Sequence, residues 1–245
     1  MTQKTNLNIS PYYDDFDKDD QFYKVLFKPG FPVQARELTT LQSILQNQLE
    51  SFGTHMFKDG SMVIPGNIAY DPDYYSIKIE REFLGVPVSL YLDQLKGKKL
   101  TSNITGVSVV IDDYLYPEDN SQIDTLTIFV KYINSGPNNV DATMNDGESL
   151  ITDEAFVYGN TPVSAGESVL KLIDDEACFV GSSVSLAAGV YFIRGTFVEV
   201  VADKIVLNPY DNDPSYRVGL NINEQLLTAK QDESLYDNAR GFSNF

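Results

Sequence analysis

Tryptophan is absent from this sequence, and histidine (His55) and cysteine (Cys178) occur once each. A single cysteine excludes a disulfide within the chain. Cys178 lies in the apolar run ACFVG, the setting of a buried structural thiol and not of an activated nucleophile. Ser-His-Asp and Cys-His machinery needs a histidine, and His55 falls on a predicted helix far in sequence from Cys178. One chain cannot assemble a usual zinc site from these residues. Three copies of His55 around a three-fold axis could hold an ion; the plainer role is packing or a surface hydrogen bond. No glycine-rich loop follows a strand and opens a helix, so neither dinucleotide nor P-loop binding is indicated. No cofactor is expected.

Bases are scarce too. Eighteen lysines and arginines face 35 acids, for a net charge of −17. Phosphates would be repelled, which argues against nucleic acid and anionic membranes as partners. No apolar run approaches the ~20 residues that span a bilayer. The opening MTQKTNLNIS is polar and lacks the basic and apolar parts of a secretory signal, so synthesis in a cytoplasm is expected.

Acidic pairs are plentiful: Asp14-Asp15, Asp112-Asp113 and Asp174-Asp175. Paired carboxylates can serve glycoside hydrolysis, but chance pairs are expected among 35 acids. Asp112-Asp113 and Asp174-Asp175 follow strand-like runs and are expected in turns. Asp15, Asp17 and Asp19 imitate the start of a calcium loop. The match then fails, with Asp20 where glycine and Leu26 where glutamate is needed. A solvated acidic turn is the default there, and no enzyme is expected.

What is present is one long helical period. Pro32–Lys58 reads PVQARELTTLQSILQNQLESFGTHMFK. Pro32 suits a first helical turn, and no Gly or Pro interrupts Ala35–Phe52. Leu38, Leu41, Leu45, Leu49, Phe52 and Met56 recur at spacings of three and four, on one face. Gly53 either ends the helix or weakens its last turn. The opposite face, Gln42, Ser43, Gln46, Asn47 and Gln48, is rich in amides and poor in charge, unlike an ordinary solvated face. In heptad register Leu38, Leu41, Leu45 and Phe52 take a and d seats, with Gln48 and His55 as polar d seats that can set register and oligomer state. Two arrangements remain open: the stripe covers a sheet of its own chain, or it packs on sister chains.

The rest of the chain reads as short strands and turns, helped by 15 tyrosines and 14 phenylalanines. Residues 1–31 form an arm in which Phe22, Tyr23, Val25, Leu26 and Phe27 are apolar. Residues 59–92 hold strands at Ser61–Tyr70 (bent at Pro65-Gly66), Tyr75–Phe83 and Val86–Leu92. Residues 93–146 suggest an inserted barrel-like module with a turn-rich stretch at Thr101–Thr105 and strands at Val107–Ile111 and Thr125–Ile133. Residues 147–230 continue the β domain; GVYFIRGTFVEVV (Gly189–Val201) alternates throughout, and Tyr216–Ile222 reads as a last strand. Residues 231–245 are polar and look like a connector to a longer chain. The expected fold is α+β, mainly β: one long N-terminal amphipathic helix with antiparallel β-sandwich or barrel-like modules.

Asn8–Gly53, NISPYYDDFDKDDQFYKVLFKPGFPVQARELTTLQSILQNQLESFG, resembles an uncharacterised domain near the N-terminus of virion proteins of tailed phages, notably contractile-tailed phages of marine cyanobacteria. GSMVIPG (60–66), GVYFIRGTFV (189–198), SYRVGLNINEQLLT (215–228) and SLYDNARGFSNF (234–245) are similar to the same family. The resemblance implies a structural part of the virion tail: a tail-fibre or baseplate-associated attachment protein, commonly a homotrimer, that docks on other tail or baseplate proteins. Trimer contacts are then expected from Leu38, Leu41, Leu45, Gln48, Phe52 and His55, and docking contacts from Tyr12, Tyr13, Phe16 and Phe22. The rival expectations are a fibre domain that binds a host surface glycan, and a baseplate wedge component without trimer symmetry.

Overall fold

A computed structural model describes residues 8–10, 12–136 and 143–236. Two compact units divide the chain. One is drawn from Met1–Asn67, Ala187–Ala202 and Gly219–Phe245, the other from Ile68–Leu186 and Asp203–Val218. Of the connector expected at 231–245, residues 237–245 lie outside the described residues, as do 1–7 and Pro11 of the arm and 137–142 of the expected inserted module.

The described residues are mainly β, with one long helix, α1 (Ala35–Met56). The helix begins three residues after Pro32. Gln34 and Glu37 form a capping box: the Gln34 side chain takes the backbone N–H at the third helical position, and the Glu37 carboxylate takes that of Gln34. This box satisfies orphan donors that a start at Pro32 would leave open. Gly53 does not stop the helix. It is buried, and α1 continues one turn beyond it.

The strands are, in order, β1 (Ser61–Ile64), β2 (Ile68–Lys78), β3 (Glu82–Phe83), β4 (Val86–Pro87) and β5 (Lys99–Ser102), then β6 (Ser108–Leu115), β7 (Thr127–Asn134), β8 (Ser149–Thr152), β9 (Phe156–Tyr158) and β10 (Thr161–Val163). They are completed by β11 (Ser168–Lys171), β12 (Cys178–Leu186), β13 (Gly189–Ile193), β14 (Thr196–Val200) and β15 (Asp203–Asn208). A short helix, α2 (Leu92–Leu95), follows a single 3-10 turn at Val88–Leu90.

The larger unit is built on an eight-stranded antiparallel sheet in the order β11-β8-β5-β6-β7-β2-β12-β15. Strands from the expected 93–146 module, β5, β6 and β7, sit in the same sheet as β2 and β8. Past β2, Ile79 forms one antiparallel bridge with Leu172, supported by Glu80 N–H to the Lys171 carbonyl at 2.9 Å. The sheet curls far enough for this bridge, but the described strands form no closed barrel. Ile77, Leu100, Ile111, Ile128, Leu150 and Leu170 fill the concave core.

Val86–Leu92, expected as a strand, is mostly helical. Val88, Tyr91, Leu92 and Leu95 are all buried in the core, and their spacing of three and four is a helical period. Val86-Pro87 alone keeps strand pairing, with Glu82-Phe83. Asp112-Asp113 is not in a turn either: both residues lie within β6. Thr101 and Ser102, read as turn, close β5.

The smaller unit carries a three-stranded sheet, β1-β13-β14. Gly189–Val201 is a hairpin and not one strand. Arg194 and Gly195 both take positive φ (47° and 79°), the backbone of a tight two-residue hairpin turn. The Arg194 N–H donates to Asp59 Oδ1 at 2.7 Å. Phe57, Phe192 and Phe197 form a ring cluster with centroid separations of 5.3–5.8 Å. At the hairpin's other end Gly66 and Gly189 are in backbone contact; a Cβ on Gly189 would come within 2.7 Å of Gly66.

Candidate functional site

Among the described residues, the feature with most unmatched apolar surface is α1 together with the arm beside it. The amphipathic period places the long apolar stripe on one side of α1, yet the described residues leave it uncovered. Leu38, Leu45, Leu49, Phe52 and Met56 are each more than half exposed, from 53% at Leu38 to 64% at Phe52. Leu41 is half-buried at the margin, and Gln48 and His55 are exposed. The fully buried α1 positions are Ile44 and Gly53. The six positions expected at a trimer contact thus form one helical surface, and five of them face solvent in the single chain.

The amide- and hydroxyl-rich side of α1 is not bare. The arm packs on it through acids first read as a solvated turn. Asp14 accepts a hydrogen bond from the Ser43 hydroxyl. Asp15 is ion-paired with Arg36 and accepts from the Thr40 hydroxyl at 3.4 Å. Arg36, Thr40 and Ser43 follow one another at spacings of four and three, so one helix face meets both carboxylates. The hydrogen bond from Arg36 holds the Asp15 carboxyl below its ordinary range. Asp17 Oδ1 caps the Asp19 N–H at 2.9 Å. These contacts were not read from the sequence. The signal was there in the Arg-x-x-x-Thr-x-x-Ser spacing, but nothing local ties it to residues more than twenty positions away.

The arm residues expected to dock divide in two. Tyr12 and Phe16 are half-buried. Tyr13 (φ 48°) and Phe22 are exposed. Phe16 and Phe22 line a cleft of about 480 Å³ whose other wall is Ile44, Asn47, Gln48 and Ser51 of α1. Tyr23 lines it too, and beyond it Leu26, Phe27, Phe31 and Val33 are all exposed. The arm is thus fastened to α1 by its acidic end and leaves its aromatic end in solvent.

In the acidic pair within β6 the two carboxylates take different partners. Asp112 and Asp113 are consecutive in β6, and a bulge between Ile111 and Asp113 interrupts the alternation there. Asp112 accepts from the Tyr74 hydroxyl at 2.9 Å and pairs with Lys204 and Lys131; Asp113 pairs with Lys96 at 2.6 Å. Asp174 is bonded by Lys171 at 3.0 Å. Burial pushes the Cys178 thiol up to about 11. No helix among the described residues is long and apolar enough to cross a membrane, and none of their acids, histidine and cysteine form a group of three or more that could hold a metal ion.

Residues 10–91 match a family described as Domain of unknown function (DUF4815). The matched stretch takes in the arm from residue 10 onward, α1 and β1 to β4, and ends just before α2. No curated protein and no solved structure matches the chain.

Proposed function

We propose that this chain is a structural protein of a tailed-phage virion, a tail-fibre or baseplate attachment component that acts by self-association and docking and not by catalysis. In this reading α1 associates with α1 of two further copies through Leu38, Leu45, Leu49, Phe52 and Met56. The arm carries Phe22 and its aromatic neighbours to another tail or baseplate protein. The curled β unit is barrel-like in its curvature. The observation that carries the proposal is the uncovered stripe itself. Five large apolar side chains exposed on one helical face are the pattern of a helix awaiting helices. The family resemblance of Asn8–Gly53 supplies the virion context.

Light scattering on the purified chain tests it. A trimer is expected, with a monomer for Leu45→Glu combined with Phe52→Glu and an unchanged far-ultraviolet dichroism spectrum. A wild-type monomer at tens of micromolar, or a double variant that stays trimeric, overturns the helical association. Immunogold labelling of purified virions tests the location, with label expected at the tail.

A further inference from the structure

Residues 216–222 are a strand by composition and alternation: Tyr216, Val218, Leu220 and Ile222 lie on one side, Arg217, Gly219 and Asn221 on the other. Yet the segment belongs to neither a sheet nor a helix, and all seven residues are exposed. Among the described residues, no backbone–backbone hydrogen bond involves residues 213–227. A strand with a period-2 apolar face and no ladder is missing its partner, because backbone N–H and C=O groups seek pairing wherever apolar side chains are to be buried.

The small sheet of the same chain has the complementary defect. Among the described residues β14 bonds to β13 on one side only, over five pairs with no register break. Its residues are exposed except for the half-buried Val200. It lacks the usual edge protection: no proline, no bulge and one charge, Glu199. The opposite edge, β1, is protected by a bulge between Met62 and Ile64.

We propose that residues 216–222 of one copy add as an antiparallel strand to β14 of a second copy. Setting Val218 opposite Val198 fixes the register. Arg217 then faces Glu199, and among the described residues neither has an ion-pair partner within its own chain. Gly219, with open space around it, falls opposite Phe197, whose ring can cover the gap as aromatics do for edge glycines. Opposite charges and apolar pairs directly across a ladder are the contacts that select register. The exchange is heterologous, each copy giving one strand and taking one, and three copies close the ring. It rests on the self-association proposed above but uses a different contact.

Glu224, two residues beyond the strand, pairs with Arg194 at the β13–β14 turn of the same chain at 3.3 Å, so addition within one chain is the competing outcome. Two variants, Val218→Cys and Val198→Cys, each with Cys178→Ser, are co-expressed and oxidised. Directly opposed residues of an antiparallel pair lie within disulfide reach. A disulfide-linked heterodimer is expected, at least fivefold over either homodimer, and absent when Leu226→Cys replaces Val218→Cys. Equal homodimer and heterodimer yields, or no bond at all, overturn the proposal. So does a chain carrying both cysteines that closes the bond within itself at high dilution. A trimer that persists without the heterodimer overturns the strand exchange alone, whereas a monomeric wild type overturns the helical association and the exchange together.

Discussion

The Phe192 ring lies against the backbone of α1 at Gly53, so close that a Cβ there would overlap the ring edge at Cε2. This contact joins the helix to the hairpin sheet and explains a glycine three residues from the end of α1. Gly53→Ala should gain about 1 kcal/mol of helix propensity but force the ring aside, at a cost of roughly 1–3 kcal/mol. A lower urea midpoint is expected, partly restored by adding Phe192→Leu. A midpoint equal to or above wild type would show that the ring moves freely.

Asp112 gives a pH prediction. Burial alone would raise its carboxyl, but hydrogen bonds from Lys204 and Tyr74 outweigh it, and the folded value lies below the ordinary 3.8. A depressed carboxyl contributes stability that is full above the unfolded value and is lost as pH falls through the folded one. Urea midpoints of wild type should therefore drop more steeply than those of Asp112→Asn below about pH 4. Parallel acid profiles would mean that Asp112 contributes nothing through its ionisation.

Glu148 is 1% exposed and accepts from the hydroxyls of Ser102 and Thr105 and from Asn145 Nδ2. The Ser102 oxygen in turn receives the N–H groups of Ile104 and Thr105 at 3.1 and 3.2 Å. The buried carboxylate clasps the turn after β5 to the start of β8. Glu148→Leu leaves buried donors unmatched, and a loss of about 1–3 kcal/mol is expected in urea unfolding. No loss would mean that water replaces the carboxylate.

Cys178 should be nearly inert while folded. With its thiol raised to about 11, the thiolate fraction at pH 8 falls on the order of 100-fold below that of a free cysteine. Labelling by a thiol-exchange reagent should be slowed by a similar factor in buffer and become rapid in denaturing urea. Fast labelling of the folded chain would place the thiol in open solvent.

The arm's hold on α1 can be tested by limited proteolysis. Asp15→Asn combined with Ser43→Ala removes the ion pair to Arg36 and the bond to Asp14. Cleavage near Lys18 or Lys24 should then speed up several-fold, as expected of a segment with few remaining contacts. Unchanged cleavage would mean that Phe16, not the acids, fastens the arm.

Local signals were legible where physics is local. The absence of Gly and Pro from Ala35 to Phe52 and the three-four apolar spacing predict a helix, and α1 occupies 35–56 within the expected 32–58. Alternation at Thr125–Ile133 finds β7, and Pro65-Gly66 marks the gap between β1 and β2. Errors arose where two periods fit one short segment. Val86–Leu92 alternates well enough for a strand, but the core takes Val88, Tyr91, Leu92 and Leu95 in a helical turn. Gly189–Val201 alternates through its own hairpin turn because Arg194 carries a positive φ that arginine does not advertise.

The sequence by itself determined the acidic, mainly β character of the chain, the one long helix and the side of it that is apolar. Those follow from composition and from periods of two and 3.6, properties of neighbouring residues. Tertiary structure alone decided which surfaces are used. It put the acids of the arm on Arg36, Thr40 and Ser43, set Phe192 on Gly53, and left Leu38, Leu45, Leu49, Phe52 and Met56 in solvent. Whether an apolar stripe is covered depends on residues far away in sequence, and periodicity carries no information about them.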